Sequence, residues 1–357
     1  MDTSLFSEYV SKWFSKVITQ ITEKINGKEG EMTYFFKAYL KKEETTDMTW
    51  NSLESNGSVA AVDVVSMDSE LPLKKRDSLK KASGLVPKLG SKMALNEKQL
   101  SDLKILALKG DKEGSLVVKL FNDANKLLRG LNERLEYMFL QALSSGVTVI
   151  DEGTGAGIRI DFAIPAANKF LTSDVVWTNV LSKPMDDIEA VNDAADANGH
   201  TITTIFMDRA TISAFRKATQ VKEAFAAFQG FSGSSIVVPT LKKANEMLND
   251  EFGVQIVEVN KSVNIETAGN QVSTKPWTAG AVTFATGTDL GLLVYAELAE
   301  STSPVNGVAY ETADDYALVS KYRKNDPLQE VTAVQALVVP VLQNVGALYI
   351  LDSLTAA

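Results

Sequence analysis

The chain has 357 residues, a formal net charge of −9, no cysteine and a single histidine, His200. The lack of cysteine excludes disulfide scaffolds, thiolate zinc sites and cysteine nucleophiles. The length exceeds what one hydrophobic core usually supports, and 45% hydrophobic with 23% charged residues is ordinary for a folded protein, so we expect two or more packed lobes, or one lobe with long extensions.

Residues 1–26 predict an amphipathic helix that ends at Asn26-Gly27. Its apolar side chains recur at helical spacing between lysines and glutamates, whereas a secretory signal needs one continuous apolar block. We therefore expect the protein to stay in the cytoplasm where it is made, and no later segment is long and apolar enough to span a membrane. Residues Thr33–Tyr39 and Val59–Val65 favour β-structure.

Asn51–Leu95 is rich in Lys, Ser, Gly and Pro, and it predicts a long basic excursion, formed as an extended β-hairpin. Between Lys74 and Gly130 there are 14 Lys/Arg against 6 Asp/Glu, whereas Pro184–Asp315 holds 8 against 18. This asymmetry indicates partner surfaces of opposite sign, with two solvated faces as the open alternative.

A short helix is predicted at Glu97–Leu108, followed by a long helix at Glu113–Ser145. Apolar residues of the long helix form one stripe at 3.6-residue spacing, and Gly146 supplies its C-terminal stop. At 1.5 Å per residue this helix is about 50 Å long, so we expect the body of the protein to pack along it. The residues predicted to carry that packing are Phe121, Leu128, Leu131, Leu135 and Met138.

Two strands, Val147–Ile150 and Ile158–Ile164, are predicted directly after the long helix. The glycines of the intervening 151–157 segment resemble a phosphate-binding loop, but such a loop must open a helix. Here Ile158, Ile160 and Phe162 alternate with Arg159 and Asp161, which is strand periodicity. A hairpin tip is therefore the favoured interpretation.

Helices and strands then alternate, which predicts a compact α/β lobe. The predicted helices are Asp186–Ala197, Ala210–Ala218, Val221–Phe228 and Thr240–Asn249. The predicted strands are Thr201–Met207, Val254–Val259, Val282–Ala285 and Gly291–Tyr295. Three C-terminal strands, Tyr316–Tyr322, Val331–Val341 and Ala347–Leu351, are expected to rejoin the sheet beside the long helix.

We predict no catalytic, cofactor or metal site. Asp186-Asp187 follows Pro184 at a predicted helix N-terminus, and Asp314-Asp315 lies in a polar loop, so nothing places either pair around a cleft for acid–base chemistry. Asp208 is predicted to cap the following helix. His200 follows a helix C-terminus and is expected to be a surface residue. No P-loop, paired-histidine or EF-hand motif is present.

Three stretches resemble a known family in their order and content. The first runs from Trp177-Thr178 through Lys183-Pro184-Met185-Asp186-Asp187-Ile188 to Ile202–Asp208 and Val221-Lys222-Glu223. The second is the long helix ending at Gly146, with its hairpin and Ile160-Asp161-Phe162. The third is Tyr322-Arg323-Lys324-Asn325-Asp326-Pro327, followed by Thr332–Pro340. Together they resemble the major head protein E family of lambda-type phages, which has the Hong Kong ninety-seven phage capsid fold.

The resemblance implies an α+β phage capsid fold with five regions. Residues 1–48 are the N-terminal arm, and 49–95 are the extended loop that lies over a neighbouring subunit. Residues 96–183 are the peripheral domain, with the spine helix at 113–145 and the hairpin at 147–164. Residues 184–315 are the axial domain, and 316–357 return as strands to the peripheral domain and core.

The resemblance also implies a structural function and a set of partners. The expected function is that of a major capsid protein, whose hexamers and pentamers form an icosahedral virion shell around double-stranded DNA. Expected partners are a scaffolding protein, portal, head–tail connectors, non-specifically contacted DNA and, in some phages, a decoration protein. Inter-subunit contacts are predicted at Lys74, Lys75, Arg76, Lys80, Lys81 and Lys88. The alternatives are an encapsulin-type cargo compartment and, from another class, a soluble α/β enzyme.

Overall fold

A computed structural model describes most of the chain. The described residues are 3–27, 34–54, 80–108, 113–150, 157–230, 237–267 and 270–357. They divide into two compact units, of which the first comprises residues 1–50, 84–138 and 292–341 and the second residues 51–83, 139–291 and 342–357.

Helices and strands are interleaved along the described residues. The helices are α1 Ser7–Ile25, α2 Phe35–Tyr39, α3 Glu97–Leu108, α4 Glu113–Ser145, α5 Pro184–Ala197, α6 Arg209–Lys217, α7 Thr219–Phe228, α8 Leu241–Phe252 and α9 Ala299–Thr302. The strands are β1 Leu40–Thr45, β2 Thr49–Glu54, β3 Lys80–Leu85, β4 Lys88–Leu95, β5 Val147–Ile150, β6 Ile158–Asp161, β7 Lys169–Thr172, β8 Thr204–Asp208, β9 Gln255–Val259, β10 Val263–Thr267, β11 Asn270–Thr274, β12 Ala281–Ala285, β13 Gly291–Ala296, β14 Ala309–Ala313, β15 Ala317–Lys324, β16 Gln329–Leu342 and β17 Tyr349–Ala356.

The first unit is organised around a six-stranded sheet in the order β1-β13-β16-β15-β14, with β4 also paired to β16. β16 is 14 residues long, and it pairs antiparallel with both β15 and β4. The amphipathic face of α1 buries Val10, Phe14 and Ile18, and the Phe14 ring stacks on Phe121 of α4 with centroids 5.8 Å apart. The N-terminal helix is therefore packed into the core of this unit, as its periodicity predicts.

The second unit contains a five-stranded sheet in the order β7-β17-β12-β8-β9. β8 and β9 are parallel, as are β17 and β7, while β12 runs antiparallel to its neighbours β8 and β17. Helices α5 to α8 contribute Ile188, Phe215, Val221 and Leu248 to a core shared with Phe284 of β12. This is the α/β lobe that the alternation of helix and strand predicts.

Helix α4 has the bounds that its apolar stripe predicts. Gly146 follows it with a φ of +77°, and its N–H donates to the Ala142 carbonyl at 2.7 Å. The positive φ strains any residue with a Cβ here, and such a Cβ also lies 2.9 Å from Ile164 Cδ1, so glycine suits the position. Within the second unit, the last turn is held by Thr283, whose hydroxyl donates to the Leu143 carbonyl at 2.9 Å.

Two of the two-stranded sheets, β5-β6 and β10-β11, lie wholly within the second unit. β5 and β6 pair antiparallel from Val147↔Asp161 to Ile150↔Ile158, so the predicted hairpin forms, although its second strand ends at Asp161 and not at Ile164. The sequence did not predict the second hairpin, in which β10 and β11 pair from Val263↔Thr274 to Thr267↔Asn270.

Three expectations are wrong in detail. Phe35–Tyr39 forms helix α2 and no strand, while the neighbouring prediction at Val59–Val65 lies outside the described residues. The third C-terminal strand, β17, does not join the sheet of β15 and β16 but lies between β7 and β12. In the 51–95 segment, β3 pairs with β2, whereas β4 does not extend that hairpin and pairs with β16 instead.

Candidate functional site

The basic residues predicted to make contacts fall on only partly described segments. Lys74, Lys75 and Arg76 lie outside the described residues, and Lys80 and Lys81 belong to β3 without described side chains. Lys88 begins β4, and its ammonium lies 3.6 Å from the carboxylate of Glu300, with 52% of its side chain exposed. A pair this open to solvent adds little stability.

The five predicted packing residues of α4 are all buried. Leu135 and Met138 are 0% exposed, and Phe121, Leu128 and Leu131 are between 2% and 6% exposed. Opposite them lies the sheet residue Lys321, which is 1% exposed and whose ammonium donates to the Thr332 hydroxyl at 3.1 Å. Burial lowers the pKa of Lys321, opposed by Glu330 and Asp123.

Glu136 on α4 holds the segment before β1 in place. Its buried carboxylate accepts hydrogen bonds from the backbone N–H groups of Phe35 at 2.9 Å and of Phe36 at 3.0 Å. One turn earlier, Glu133 accepts a hydrogen bond from the Tyr34 hydroxyl at 3.1 Å. Burial, and then the charge of Glu133, raise the pKa of Tyr34 well above its ordinary value. Two carboxylates of one helix therefore define where α2 begins.

A cluster of charges, which we call the 314 cluster, joins the N-terminal segment to the turn before β15. It consists of Asp314, Asp315, Lys37 and Lys42. Lys42 donates to both aspartates at 2.7 Å, and Lys37 donates to Asp314, which also accepts from Asn26 at 3.2 Å. Burial by itself raises the pKa of Asp314, but the two ammonium groups outweigh it and hold that pKa below its ordinary value.

The Asp314-Asp315 pair is evident in the sequence, but its partners Lys37 and Lys42 are not, because they lie more than 270 residues away. Both aspartates have positive φ angles, of 57° and 72°. Aspartate tolerates this left-handed conformation better than most residues, and that preference is the one local signal that the pair occupies a tight turn.

A cleft of about 360 Å³ lies beside the 314 cluster. Glu44, Glu297 and Asp315 supply carboxylates, and the rings of Tyr295 and Tyr316 line the same space with centroids 6.3 Å apart. Burial, followed by the charges of Glu44 and Asp315, raises the pKa of Tyr295. Ser301 and Thr312 add hydroxyls to this lining, which carries no lysine, arginine or histidine among the described residues.

The other acidic pair and the histidine have structural partners in the second unit. Asp187 accepts from the Ser173 hydroxyl at 2.6 Å and from the Trp177 indole N–H at 2.7 Å, and Asp208 caps α6 by accepting from the Thr211 N–H at 3.0 Å. His200 follows the C-terminus of α5 as expected and is partly exposed, but its Nδ1 also lies 2.8 Å from the Tyr349 hydroxyl. Tyr349 of β17 fills the space beside it, which sequence alone does not reveal.

No group of three or more metal-ligating side chains lies together in the described ranges. In the same ranges, every helix is too short or too polar to cross a membrane.

Comparison with known proteins gives one family and one fold. The family model described as phage major capsid protein E matches residues 18–353. A putative capsid protein of a prophage of E. coli CFT073 has 12% identity and a TM-score of 0.57, over 95% of this chain and 98% of that one. A phage-related protein from Bordetella bronchiseptica RB50 has 15% identity and a TM-score of 0.53, over 95% and 97%. No curated protein sequence matches the chain.

Proposed function

This chain belongs to the phage major capsid protein E family, and we propose that its copies assemble as hexamers and pentamers into an icosahedral shell around double-stranded DNA. The observation that carries the proposal is the family match across nearly the whole chain, from residue 18 to residue 353. The fold is the phage capsid fold, with the α+β architecture that the resemblance implies. The protein is a structural component of the virion and not an enzyme.

Contacts between copies are proposed to have a charge-steered component. The basic region between Lys74 and Gly130 and the acidic region between Pro184 and Asp315 carry opposite net charges. A shell needs many weak, repeated interfaces of one geometry, and charge complementarity sets their register and makes them sensitive to salt. Among the six basic residues predicted to make inter-subunit contacts, Lys88 is the one with a described side chain, which is half-exposed and paired with Glu300 across solvent.

Assembly is also proposed to need other proteins. A scaffolding protein, a portal, head–tail connectors and, in some phages, a decoration protein are partners implied by the family resemblance. The support for them is the resemblance itself, since the chain alone offers no signature for any one of them.

Electron microscopy of the purified, overexpressed protein tests the proposal. We expect closed shells or capsomers, with more uniform closed shells when a scaffolding protein from the same phage is co-expressed. A compact monomer at all concentrations contradicts the proposal. Uniform shells that form without scaffold and enclose a protein cargo instead favour the encapsulin-type alternative.

A further inference from the structure

Helix α4 presents a face to solvent that is positively charged. Between Leu116 and Ser145, the exposed positions of α4 are Val118, Lys119, Asn122, Lys126, Arg129 and Gly130. Three of these six side chains are cationic and none is acidic, although the whole chain carries a net charge of −9. Packing explains the apolar residues on the buried face of α4, but it does not explain why the exposed face carries only positive charges.

Lys119, Lys126 and Arg129 form a continuous row, which we call the basic stripe. At 100° per residue they lie within an arc of about 80°, and at 1.5 Å per residue they span about 15 Å along the axis. Arg129 donates from Nε to Asn125 at 3.2 Å, which orients its guanidinium from the same helix. Within the described part of the chain, neither Lys119 nor Lys126 takes part in an ion pair.

The stripe ends where the helix becomes engaged with the rest of the first unit. Glu133 is the next residue on this face, but it is half-buried and accepts the Tyr34 hydroxyl hydrogen bond. Asp123 is half-buried near Lys321. The acids of this stretch are therefore less exposed than the cations, which face solvent.

We propose that the basic stripe binds the phosphate backbone of the nucleic acid that the shell encloses. Over about 15 Å of duplex axis each strand presents about four phosphates, and because these wind around the duplex, the three long side chains reach those that face the helix. Phosphate contacts need cations and amides but no base recognition, which suits a container that holds any sequence. This inference rests on the proposed function and names the surface that meets the genome.

The same surface is poorly suited to a second copy of the protein. Protein interfaces bury an apolar centre inside a polar rim. Among the exposed positions of α4 between Leu116 and Ser145, Val118 is the one large apolar side chain, 70% exposed at the edge of the stripe, and a single valine does not make such a centre. One subunit offers only three contacts, so its affinity is low, and the repetition of the stripe over many copies supplies the avidity.

The test is the salt dependence of DNA binding by the full-length protein. The variant carries Lys119→Gln, Lys126→Gln and Arg129→Gln, and the matched control Lys169→Gln, Lys217→Gln and Lys242→Gln removes the same charge from exposed positions of the second unit. The probe is a fluorescein-labelled 30-base-pair duplex of arbitrary sequence, followed by anisotropy between about 50 and 200 mM salt. Each lost phosphate contact reduces the slope of log K against log salt by about 0.9, so the variant slope decreases by between about 2 and 3 while the control slope stays close to wild type.

Two readouts keep the outcomes distinct. Glutamine is a good helix former at exposed positions, so both variants should melt like the wild type by circular dichroism. An unchanged slope in the folded variant overturns the proposal, as does a variant that fails to form shells while it binds DNA normally, since the stripe is then a protein contact. Failure of the wild type itself to form shells counts against the proposed function. The salt slope measured on its soluble subunits still shows whether the basic stripe binds DNA.

Discussion

The carboxylate of Glu136 accepts a hydrogen bond from the backbone N–H of Phe36 at 3.0 Å, between residues separated by one hundred positions in the chain. Both residues are 0% exposed. The first N–H groups of a helix have no hydrogen-bond partner within the helix. A carboxylate accepts hydrogen bonds from them and its negative charge interacts favourably with the helix dipole. A residue of the long helix α4 therefore supplies the N-terminal cap that the sequence before Phe35 lacks.

Replacing Glu136 by Ala should destabilise the protein by about 2–4 kcal/mol, because one buried and one part-buried N–H group lose a charged acceptor. Glu136→Gln keeps one acceptor oxygen and should cost less, about 1–2 kcal/mol. The measurement is urea unfolding of the purified subunit. Glu189→Gln, on the exposed face of α5, is the matched control and should stay within about 0.5 kcal/mol of wild type.

Leu131→Asp should prevent stable folding, because it places an unpaired carboxylate in the buried stripe of α4, where Leu131 is 6% exposed. The adjacent change Gly130→Ala should do the opposite. A Cβ at Gly130 meets nothing within 4 Å, so alanine should gain about 0.8–1 kcal/mol of helix propensity. Thermal melts of both variants test the pair, and a normally folded Leu131→Asp protein shows that the stripe is assigned wrongly.

The 314 cluster should make the free energy of unfolding depend on pH in the acidic range. The folded pKa of Asp314 lies below its ordinary value, so its carboxylate stabilises the fold above the unfolded pKa, and this contribution is lost as the pH falls through the folded pKa. Asp314→Asn tolerates the positive φ of this position, and at pH 7 it should cost about 1–3 kcal/mol.

Below about pH 4 the Asp314→Asn variant and the wild type should converge, because the wild-type carboxyl is then increasingly protonated. Unfolding midpoints measured from pH 2 to pH 7 give both curves. Asp193→Asn, at an exposed position of α5, is the comparison. A constant difference between Asp314→Asn and wild type across this range speaks against the cluster as its source.

Reversing Lys74, Lys75 and Arg76 to Glu should leave a soluble, folded subunit that does not form closed shells, because like charges then face each other across the interface. The charge-preserving variant Lys74→Arg, Lys75→Arg and Arg76→Lys should assemble. Circular dichroism establishes folding and electron microscopy counts shells. Normal particles from the reversed variant remove this basic cluster from the interface.

Two helices were predicted with the bounds that the structure gives, whereas the N-terminal helix was predicted over residues 1–26 and spans Ser7–Ile25. α3 and α4 begin and end where the sequence places them, because their apolar spacing and the glycine after Ser145 are local signals. The N-cap of α6 at Asp208 was predicted for the same reason. In contrast, aromatic residues at Phe35–Tyr39 favour a strand by propensity, and a helix forms there because Glu136 supplies the cap from elsewhere in the chain.

The 314 cluster and the position of β17 could not be predicted because their signals are not local. Asp314 forms ion pairs with Lys37 and Lys42, and no rule of sequence spacing relates these lysines to the aspartate. β17 has the composition of any buried strand, so its sequence does not say which of two sheets it joins. The basic stripe of α4 was not predicted either, because the exposed face of the helix is identified only once its buried face is known.

The pairing of β4 with β16 has a mechanical consequence. Residues 88–95 face residues 330–337 in eight register pairs, directly after the chain leaves β3 and passes Pro87. Traction applied to the preceding segment along the strand direction must slide all eight pairs at once, whereas force applied across the strands unzips them singly. A force along the strands is therefore shared by eight of the 14 residues of β16, and this pairing resists shear more strongly than peeling.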